Sequence, residues 1–306
     1  MAVVVPVYNS DDTIGECISS IQKQTYTALQ IIVVDDGSTD GSGDICDRMA
    51  SADSRIVVIH QQNRGRTAAR YSGVAAATGQ WLTFVDSDDT LPVDAIRNLV
   101  EHASDDTDIV LGNGQSLAGE QRSVIPIEEF RHKAVRAEGT IGVPWGSLYR
   151  RQLLTHYLFD LPRGIMMGED YIFWLRLVFS TEKDVHIIYK DVYCKGPDHT
   201  SNSFVWTANY AQQLQDYRLQ AIPEGELAKY EADMFQDRVA NLFTVATWSR
   251  RREWAESKFY KDIVADSKRL AIPLSARQRL VLWLPSLRLR RAAGSIATFF
   301  HSLKNK

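Results

Sequence analysis

The segment Asp86-Ser87-Asp88 carries two carboxylates at a spacing that could bind a metal ion. It follows the apolar run at residues 81–85, which is typical of a buried β-strand. In a strand, residues i and i+2 point to the same side, so we expect both carboxylates to face one ion. Hard divalent cations take oxygen ligands and commonly bridge a protein carboxylate to the phosphates of a substrate. The segment therefore predicts a Mg²⁺ or Mn²⁺ site that serves a phosphate-bearing substrate.

Three other polar segments also come directly after apolar runs, at residues 6–9, 35–40 and 63–65. Each segment alone could be turn or helix-capping chemistry. Ligands of open α/β sheets, however, bind beyond the carboxyl ends of the strands. Four such segments together therefore favour a polar pocket at that edge of the sheet. No GxGxxG follows the first strand and no GxxxxGK[ST] occurs, which disfavours dinucleotide dehydrogenases and P-loop NTPases. A metal-bridged nucleotide diphosphate remains the favoured ligand.

The elements that must position these residues alternate along the first 112 positions. Apolar runs at residues 2–5, 31–34, 56–59 and 81–85 are separated by segments with helical spacing. Strands that are apolar throughout indicate an α/β fold whose parallel sheet is covered by helices on both faces. Further on, the pattern predicts strands at 185–188 and 192–195, helices at 146–156 and 169–179, and almost only helix after residue 207.

The overall net charge of −3 conceals an asymmetry between the body and the tail. Residues 250–306 hold 14 Lys or Arg and 4 Asp or Glu, whereas the first 249 residues hold 21 and 34. An acidic body disfavours nucleic acid as a partner, and a basic tail indicates a partner with an anionic surface.

The cysteines Cys17, Cys46 and Cys194 lack metal-ligand spacing, so we expect free, buried thiols. No apolar run approaches the roughly 18 residues of a membrane span, and we expect a cytoplasmic protein without a secretory signal.

Taken together, the motifs resemble a known family. PVYN, VVDDGSTDGS, QNRGRTAARYSG and TGQWLTFVDSDDTLP resemble, in order and spacing, the nucleotide-sugar half of the family 2 glycosyltransferases. PWGSLYRRQLL and MMGEDYIFWLRLVF resemble the acceptor half of bacterial members that build envelope polysaccharides. The resemblance implies a GT-A fold, a Rossmann-like and mostly parallel sheet flanked by helices. It divides the chain into a nucleotide-sugar half (1–112), an acceptor half (113–206) and a helical C-terminal region (207–306).

The resemblance also implies a donor site, in which Tyr8 stacks on the nucleobase and Asp36 accepts from the imide N–H of uracil, a contact that favours a UDP-sugar. Arg70 would lie near the diphosphate, although a salt bridge at the sheet rim is its alternative. The whole donor-binding set is Pro6, Tyr8, Asn9, Asp36, Asn63, Arg70, Asp86, Ser87 and Asp88. Asp88 would be the main metal ligand, and Asp86 would meet the ribose or the metal. His199 would be a further metal ligand, with a plain surface position as its alternative, and Lys195 would be a phosphate contact.

In the acceptor half, Asp170 of the Glu169-Asp170 pair would be the general base that deprotonates the acceptor hydroxyl, which implies inversion at the anomeric carbon. A carboxylate near a hydrophobic wall can have a raised pKa suited to this task. Asp170 could instead cap a buried helix. Glu169 and Trp145 would line the acceptor site, with a core role as the alternative for Trp145. The family's usual Ala-Arg-Asn is Ala-Arg-Tyr here, ending in Tyr71, and its lysine after Trp-Gly is Ser147.

The last residues form an amphipathic helix pattern. Leu289, Ala292, Ala293, Ile296, Phe299, Phe300 and Leu303 make one apolar stripe, and Arg288, Arg290 and Arg291 lie off it. Such a pattern is typical of a helix that lies on an anionic membrane surface. Packing on the body or on a second copy of the chain, as a homo-oligomer, stays open.

The sequence thus predicts a metal-dependent inverting glycosyltransferase, hexosyl or N-acetylhexosaminyl in type. The donor would be a UDP-sugar and the acceptor a hydroxyl of a growing cell-envelope glycan such as a capsule, a teichoic acid or a lipid-linked polysaccharide. The enzyme would rest on the inner face of the plasma membrane. The alternatives are a nucleotidyltransferase, which lacks the expected Gly-rich basic loop after the first strand, and a non-catalytic nucleotide-sugar-binding scaffold.

Overall fold

The computed structural model describes residues 1–112, 120–137, 142–196, 206–248 and 252–283. The chain divides into two compact units, Met1–His199 and Thr200–Lys306. The first unit contains eight strands: β1 Ala2–Val7, β2 Gln30–Asp35, β3 Ile56–His60, β4 Trp81–Phe84, β5 Ile109–Leu111, β6 Val124–Ile125, β7 Ser147–Arg150 and β8 Val185–Ile187. Its helices are α1 Ile14–Gln22, α2 Ser42–Ala52, α3 Arg66–Ala76, α4 Ala95–Val100, α5 Ile127–Val135, α6 His156–Phe159 and α7 Glu169–Val178.

The strands form one mostly parallel sheet in the order β3-β2-β1-β4-β7-β5-β8-β6. β1, β2, β3 and β4 are parallel neighbours, as the continuous apolar runs predict, while β7 lies antiparallel between β4 and β5. The chain continues from β1 to β2 and β3 on one side and returns to β4 on the other. The strand order therefore reverses at β1, which is the place where α/β sheets bind ligands.

The predicted helix at residues 146–156 is wrong. Residues Ser147–Arg150 form β7, a 3₁₀ turn follows at Arg151–Leu153, and α6 begins only at His156. β7 is fully buried and hydrogen-bonded on both edges, to β4 and β5. This long-range pairing outweighs the local pattern, since β-structure depends strongly on neighbouring strands.

Two smaller expectations also need correction. The predicted strand at residues 192–195 is reduced to a single bridge between Thr90 and Cys194. The thiols are free, but only Cys17 and Cys46 are buried, and Cys194 is exposed. The predicted strand at 185–188 and the predicted helix at 169–179 are confirmed by β8 and α7.

In the second unit the described residues are helical, as the sequence predicts. The helices are α8 Ala208–Ala221, α9 Glu231–Trp248, α10 Lys258–Arg269 and α11 Ala276–Trp283, with 3₁₀ turns at Glu224–Tyr230 and Arg252–Glu256. Buried side chains such as Phe235, Leu242 and Ile263 make its core. Within the described ranges no helix is both long and apolar enough to cross a membrane. The predicted amphipathic stripe at residues 289–303 lies outside the described residues.

Candidate active site

The carboxyl ends of β1 and β2 bring the first two polar segments together. Pro6 is buried within β1, whereas the ring of Tyr8 beyond the strand is 50% exposed. Asn9 adopts a left-handed φ of 50°, and its Oδ1 accepts a hydrogen bond from the backbone N–H of Thr39 at 2.8 Å. Asn9 thus joins the two segments, and the neighbouring Tyr8 ring is left accessible to a stacking partner.

Asp36 is almost fully buried at the start of the second polar segment. Its carboxylate accepts hydrogen bonds from the backbone N–H groups of Arg64 and Gly65, at 2.9 and 2.7 Å, and from the amide of Gln61 at 2.6 Å. It therefore anchors the third polar segment. Since a carboxylate has about four acceptor positions, one stays available for a ligand. The predicted contact with a nucleobase remains compatible with this arrangement.

Asn63, in the third segment, bonds to a residue that the sequence analysis did not single out. Nη2 of Arg163 donates to Asn63 Oδ1 at 2.6 Å. The arginines Arg64, Arg66 and Arg163 are all exposed around the start of α3. No local signal marks Arg163, because it reaches this loop from 100 positions along the chain.

The Asp86-Ser87-Asp88 segment lies on a turn, since β4 ends at Phe84. Strand alternation therefore does not place its two carboxylates on one side. The turn is held by its neighbours: the Asp86 N–H donates to Tyr193 Oη at 3.0 Å, and Ser87 Oγ is 2.8 Å from Ser10 Oγ. These contacts position the segment without using the Asp88 carboxylate.

Asp89 is a structural member of the site that the sequence analysis missed. Its buried carboxylate accepts from Tyr193 Oη at 2.6 Å and from the Gly196 N–H at 2.7 Å, and burial raises its pKa. A Cβ on Gly196 would lie 1.9 Å from the Asp88 carbonyl oxygen, so only glycine allows this close approach. The third acid of the run Asp86–Asp89 was the available signal.

Glu169 and Asp170 occupy the first turn of α7, after Gly168 in the left-handed region at φ 90°. No side chain within the described ranges caps this helix end. Instead, Asp170 Oδ1 accepts a hydrogen bond from Arg70 Nη1 at 2.5 Å. The predicted alternative, Asp170 as a helix cap, is therefore not the arrangement in the structure.

Arg70 joins the two halves of the site. Its guanidinium is 2% exposed, and Nη2 donates to Asp86 Oδ1 at 2.9 Å while Nη1 bonds to Asp170. These ion pairs correspond to the predicted alternative, a salt bridge, while a position near the diphosphate stays a prediction. The contact places the candidate general base beside the acidic turn.

Glu169 is buried next to Asp170 and lies 3.5 Å from Arg66. Burial, together with the negative charge of Asp170, raises the pKa of Glu169 to about 7. Perturbed carboxylates of this kind cluster at functional sites. Glu169 is thus marked by its electrostatics as well as by its position.

Trp145 is half-buried and directly precedes strand β7, not the helix that the sequence predicted. Its ring stacks on Tyr193 with centroids 4.4 Å apart, and Lys195 Nζ lies 5.6 Å from the ring centre. Tyr71, the departure from the family pattern, packs against His156 and Phe159 of α6. His199 lies outside the described residues.

The carboxylates of the acidic turn fit a metal ion whose remaining ligands would be phosphate oxygens of a substrate. Among the described residues, no three His, Cys, Asp or Glu side chains form a closed metal cluster. Asp88 is partly exposed and makes no hydrogen bond or ion pair with the described part of the chain. A carboxylate of this kind suits Mg²⁺ or Mn²⁺, which bind through one or two carboxylates plus phosphate oxygens.

A model of the family described as "Glycosyl transferase family 2" matches residues 2–167, just over half of the chain. The chain belongs to glycosyl transferase family 2. Glycosyltransferase GlyA of Streptococcus pneumoniae is 32% identical over 235 residues, which is 71% of this chain and 33% of that protein. GlyG of the same organism is 45% identical over 115 residues, 37% of this chain and 38% of that protein. The family 2 chain thus spans about a third of the length of these relatives.

Two solved structures show the same fold at lower identity. TarS 1–349 of S. aureus in complex with UDP-GlcNAc has a TM-score of 0.67 and 20% identity, and the match covers 93% of this chain and 87% of that one. The mannosyltransferase PcManGT from Pyrobaculum calidifontis, in complex with GDP-Man and Mn²⁺, has a TM-score of 0.56 and 19% identity and covers 97% and 82%. The family and the GT-A fold implied by the motifs are confirmed for this family 2 chain.

Proposed function

We propose that this protein is a metal-dependent inverting glycosyltransferase that moves a sugar from a UDP-sugar to a hydroxyl of a cell-envelope glycan. The observation that carries this proposal is the Arg70 contact, which holds Asp170 and Asp86 on neighbouring nitrogens of one guanidinium. A base from the acceptor half and a carboxylate from the donor half are thereby brought to one place. The names of the relatives agree with an envelope acceptor, since one is a poly(ribitol-phosphate) beta-glucosyltransferase of Bacillus spizizenii.

The proposed chemistry assigns one task to each group. Asp170 accepts the proton of the acceptor hydroxyl while the hydroxyl oxygen forms a bond to the anomeric carbon. The bond from that carbon to the diphosphate breaks on the opposite face, and its electron pair leaves with UDP, so the configuration inverts. When bound, a divalent cation supplies positive charge to the leaving diphosphate. Asp88 and Asp86 would hold it, with His199 as a further ligand.

The remaining predicted residues would shape the two substrate sites. Tyr8 would stack on the base and Asp36 would accept from its imide N–H. Ser87 and Asn63 would border the donor, and Lys195 would contact phosphate. Glu169 and Trp145 would line the acceptor side, although one face of the Trp145 ring is already covered by Tyr193.

Calorimetric titration with UDP and a transfer assay test these roles separately. Asp170→Asn is expected to bind UDP with Mn²⁺ as wild type does and to lose transfer by about 10²–10⁴-fold, the usual contribution of a general base. Asp88→Asn, or EDTA, is expected to abolish UDP binding. Asp106→Asn, at an exposed carboxylate away from the site, serves as the control. Full transfer activity of Asp170→Asn, or an affinity for UDP that EDTA does not change, would contradict the proposal.

The same assays separate the alternatives. A nucleotidyltransferase would release pyrophosphate from a nucleoside triphosphate, whereas the proposed enzyme releases UDP from a UDP-sugar. A non-catalytic scaffold would bind the UDP-sugar and leave it intact with every acceptor. Replacing UDP by GDP in the titration tests which nucleobase the donor site accepts.

We also propose that the basic tail binds an anionic membrane surface, on the strength of its sequence pattern alone. Wild type should float with vesicles that contain an anionic lipid, and a chain lacking residues 286–306 should not. A tail with Arg288, Arg290 and Arg291 changed to Gln is the matched control for charge, and it should bind more weakly. If the deletion changes the oligomeric mass but not vesicle binding, the tail packs on a second copy instead.

A further inference from the structure

Arg70 makes an unusual pair of contacts for a buried arginine. Its side chain is 2% exposed, and both of its hydrogen bonds go to carboxylates that are themselves about a fifth exposed, Asp86 and Asp170. Its Nε has no partner within the described structure. The guanidinium is therefore inside the protein while both of its partners border the open site.

A second buried arginine of the same unit shows what a purely structural contact looks like. Arg150 bonds to Asp108 at 2.8 Å, but its other hydrogen bonds go to the backbone carbonyls of Ser104, Asp105 and Thr107. Those carbonyls belong to one fixed loop, which Arg150 joins to the sheet. Arg70 has no such backbone partner among the described residues, so its contacts hold side chains and not a loop.

The position of Arg70 follows from its helix. α3 packs closely on the sheet, because a Cβ on Gly73 would lie 2.3 Å from Val4 Cγ1 of β1. Ala69 and Arg70 face inward on the same helix and are buried. Arg70 therefore extends from a rigid element beneath the turn that carries Asp86 and the helix end that carries Asp170.

We propose that Arg70 is a positioning residue that holds the general base Asp170 in a defined place relative to the donor-side carboxylate Asp86. The inference rests on the proposed function, and it assigns Arg70 to the two carboxylates and not to the donor. A planar guanidinium can bond to both carboxylates at once in one orientation, whereas the single ammonium of lysine lacks this fork. Misplacing a reacting group by about 1 Å can cost about 10²-fold in rate.

The first test is the kinetics of Arg70→Lys and Arg70→Gln in the full chain. Both variants are expected to lose about 10²-fold in kcat while KM for the UDP-sugar changes less than about threefold, because Asp170 loses its contact with Arg70 whereas Asp88, the main proposed metal ligand, is not bonded to Arg70. Arg150→Lys is the matched control: it should lower the melting temperature and leave kcat of the folded protein unchanged. A kcat for Arg70→Lys within threefold of wild type would overturn the proposal, and so would a loss confined to donor KM.

The second test needs no substrate and separates this proposal from the proposed function. Melting temperatures are compared for Arg70→Gln, Asp170→Asn and the double variant. Residues that share a contact are non-additive, so the double variant should lose clearly less than the sum of the two single losses. Additive losses would show that the contact does not form and would overturn the inference. A wild-type protein without transfer activity but with this coupling would refute the proposed function and keep the contact.

Discussion

The candidate site contains five aspartates, and they differ in the partners that their carboxylates have. Asp36 accepts two backbone N–H bonds, and Asp89 accepts from a tyrosine hydroxyl and a backbone N–H. Asp86 and Asp170 share Arg70, while Asp88 has no partner in the described part of the chain. Since Asp88 has no positive partner there, we expect it to be the main ligand of a bound cation.

Glu169 provides a prediction about pH. Its pKa is raised from 4.5 to about 7, chiefly by burial, so the folded protein binds a proton that the unfolded chain releases. Its contribution to stability is therefore complete below about pH 4.5 and is lost as the pH rises through 7. Glu169→Gln should raise the unfolding free energy at pH 8 by about 1–3 kcal/mol and change it little at pH 4.

Chemical denaturation at the two pH values, without added metal or nucleotide, measures this effect. Glu101→Gln, at an exposed glutamate, should show no such difference. An equal effect of Glu169→Gln at pH 4 and pH 8 would contradict a raised pKa.

At the scale of elements, α3 and the strand ends determine where the site residues lie. Gly73 lets α3 approach β1 closely, and replacing it with alanine would place a Cβ 2.3 Å from a stiff valine side chain. Gly73→Ala should therefore lower the unfolding free energy by about 1–3 kcal/mol, as overpacked cores do. Gly15→Ala is the matched control in α1, where the nearest atom is 3.9 Å away and the better helix propensity of alanine should be neutral or stabilising. Equal melting temperatures for the two variants would argue against the close packing.

His60 connects three elements next to the second polar segment. Its ring nitrogens are 2.9 Å from Asp35 at the end of β2 and 3.1 Å from Asp47 of α2, and these hydrogen bonds raise its pKa. The stabilisation is present below the unfolded pKa of about 6.5 and is lost as pH rises through the folded value. His60→Asn should cost about 0.5–1 kcal/mol at pH 5.5 and less at pH 8.5, since the ring is half exposed. Denaturant unfolding at the two pH values measures both costs, and equal costs would contradict a raised pKa of His60.

At the scale of the whole molecule, each of the two units has its own interior. In the second unit, Arg218 of α8 bonds to Asp237 of α9, and both side chains are buried. Asn241 also donates to the Asp237 carboxylate at 3.1 Å. This buried polar contact joins α8 to α9.

Asp237→Asn should lower the unfolding free energy by about 3–5 kcal/mol, because it leaves the buried Arg218 without this carboxylate. Asp262→Asn removes a similar contact with Lys258 on the surface of the same unit, and it should cost less than about 1 kcal/mol. Denaturant unfolding of both variants gives the comparison. Similar losses would show that burial adds nothing to the Arg218–Asp237 pair.

Much of the fold could be predicted from the sequence because its signals are local. The apolar runs became β1–β4, of which β1 is buried throughout and β3, at the edge of the sheet, is partly exposed. The spacing at residues 169–179 predicted α7. The polar segments after these strands meet at one edge of the sheet because parallel strands end there together. The motifs in these polar segments also predicted the family, which the family model confirms.

The tertiary structure decided what depends on contacts between distant residues. Residues 147–150 form an interior strand because β4 and β5 pair with both of its edges. The Asp86 segment lies on a turn and not in the predicted strand, because β4 ends at Phe84. Arg70 meets Asp170 across 100 positions, and Arg163 meets Asn63 across the same interval. Sequence periodicity records which face of an element is buried, but it does not record which element buries it. The sequence by itself therefore determined the family, the early strands and the positions of the acidic residues along the chain. Only the tertiary structure decided that Arg70 of α3 bonds to both Asp86 and Asp170, because these contacts join side chains of three different segments.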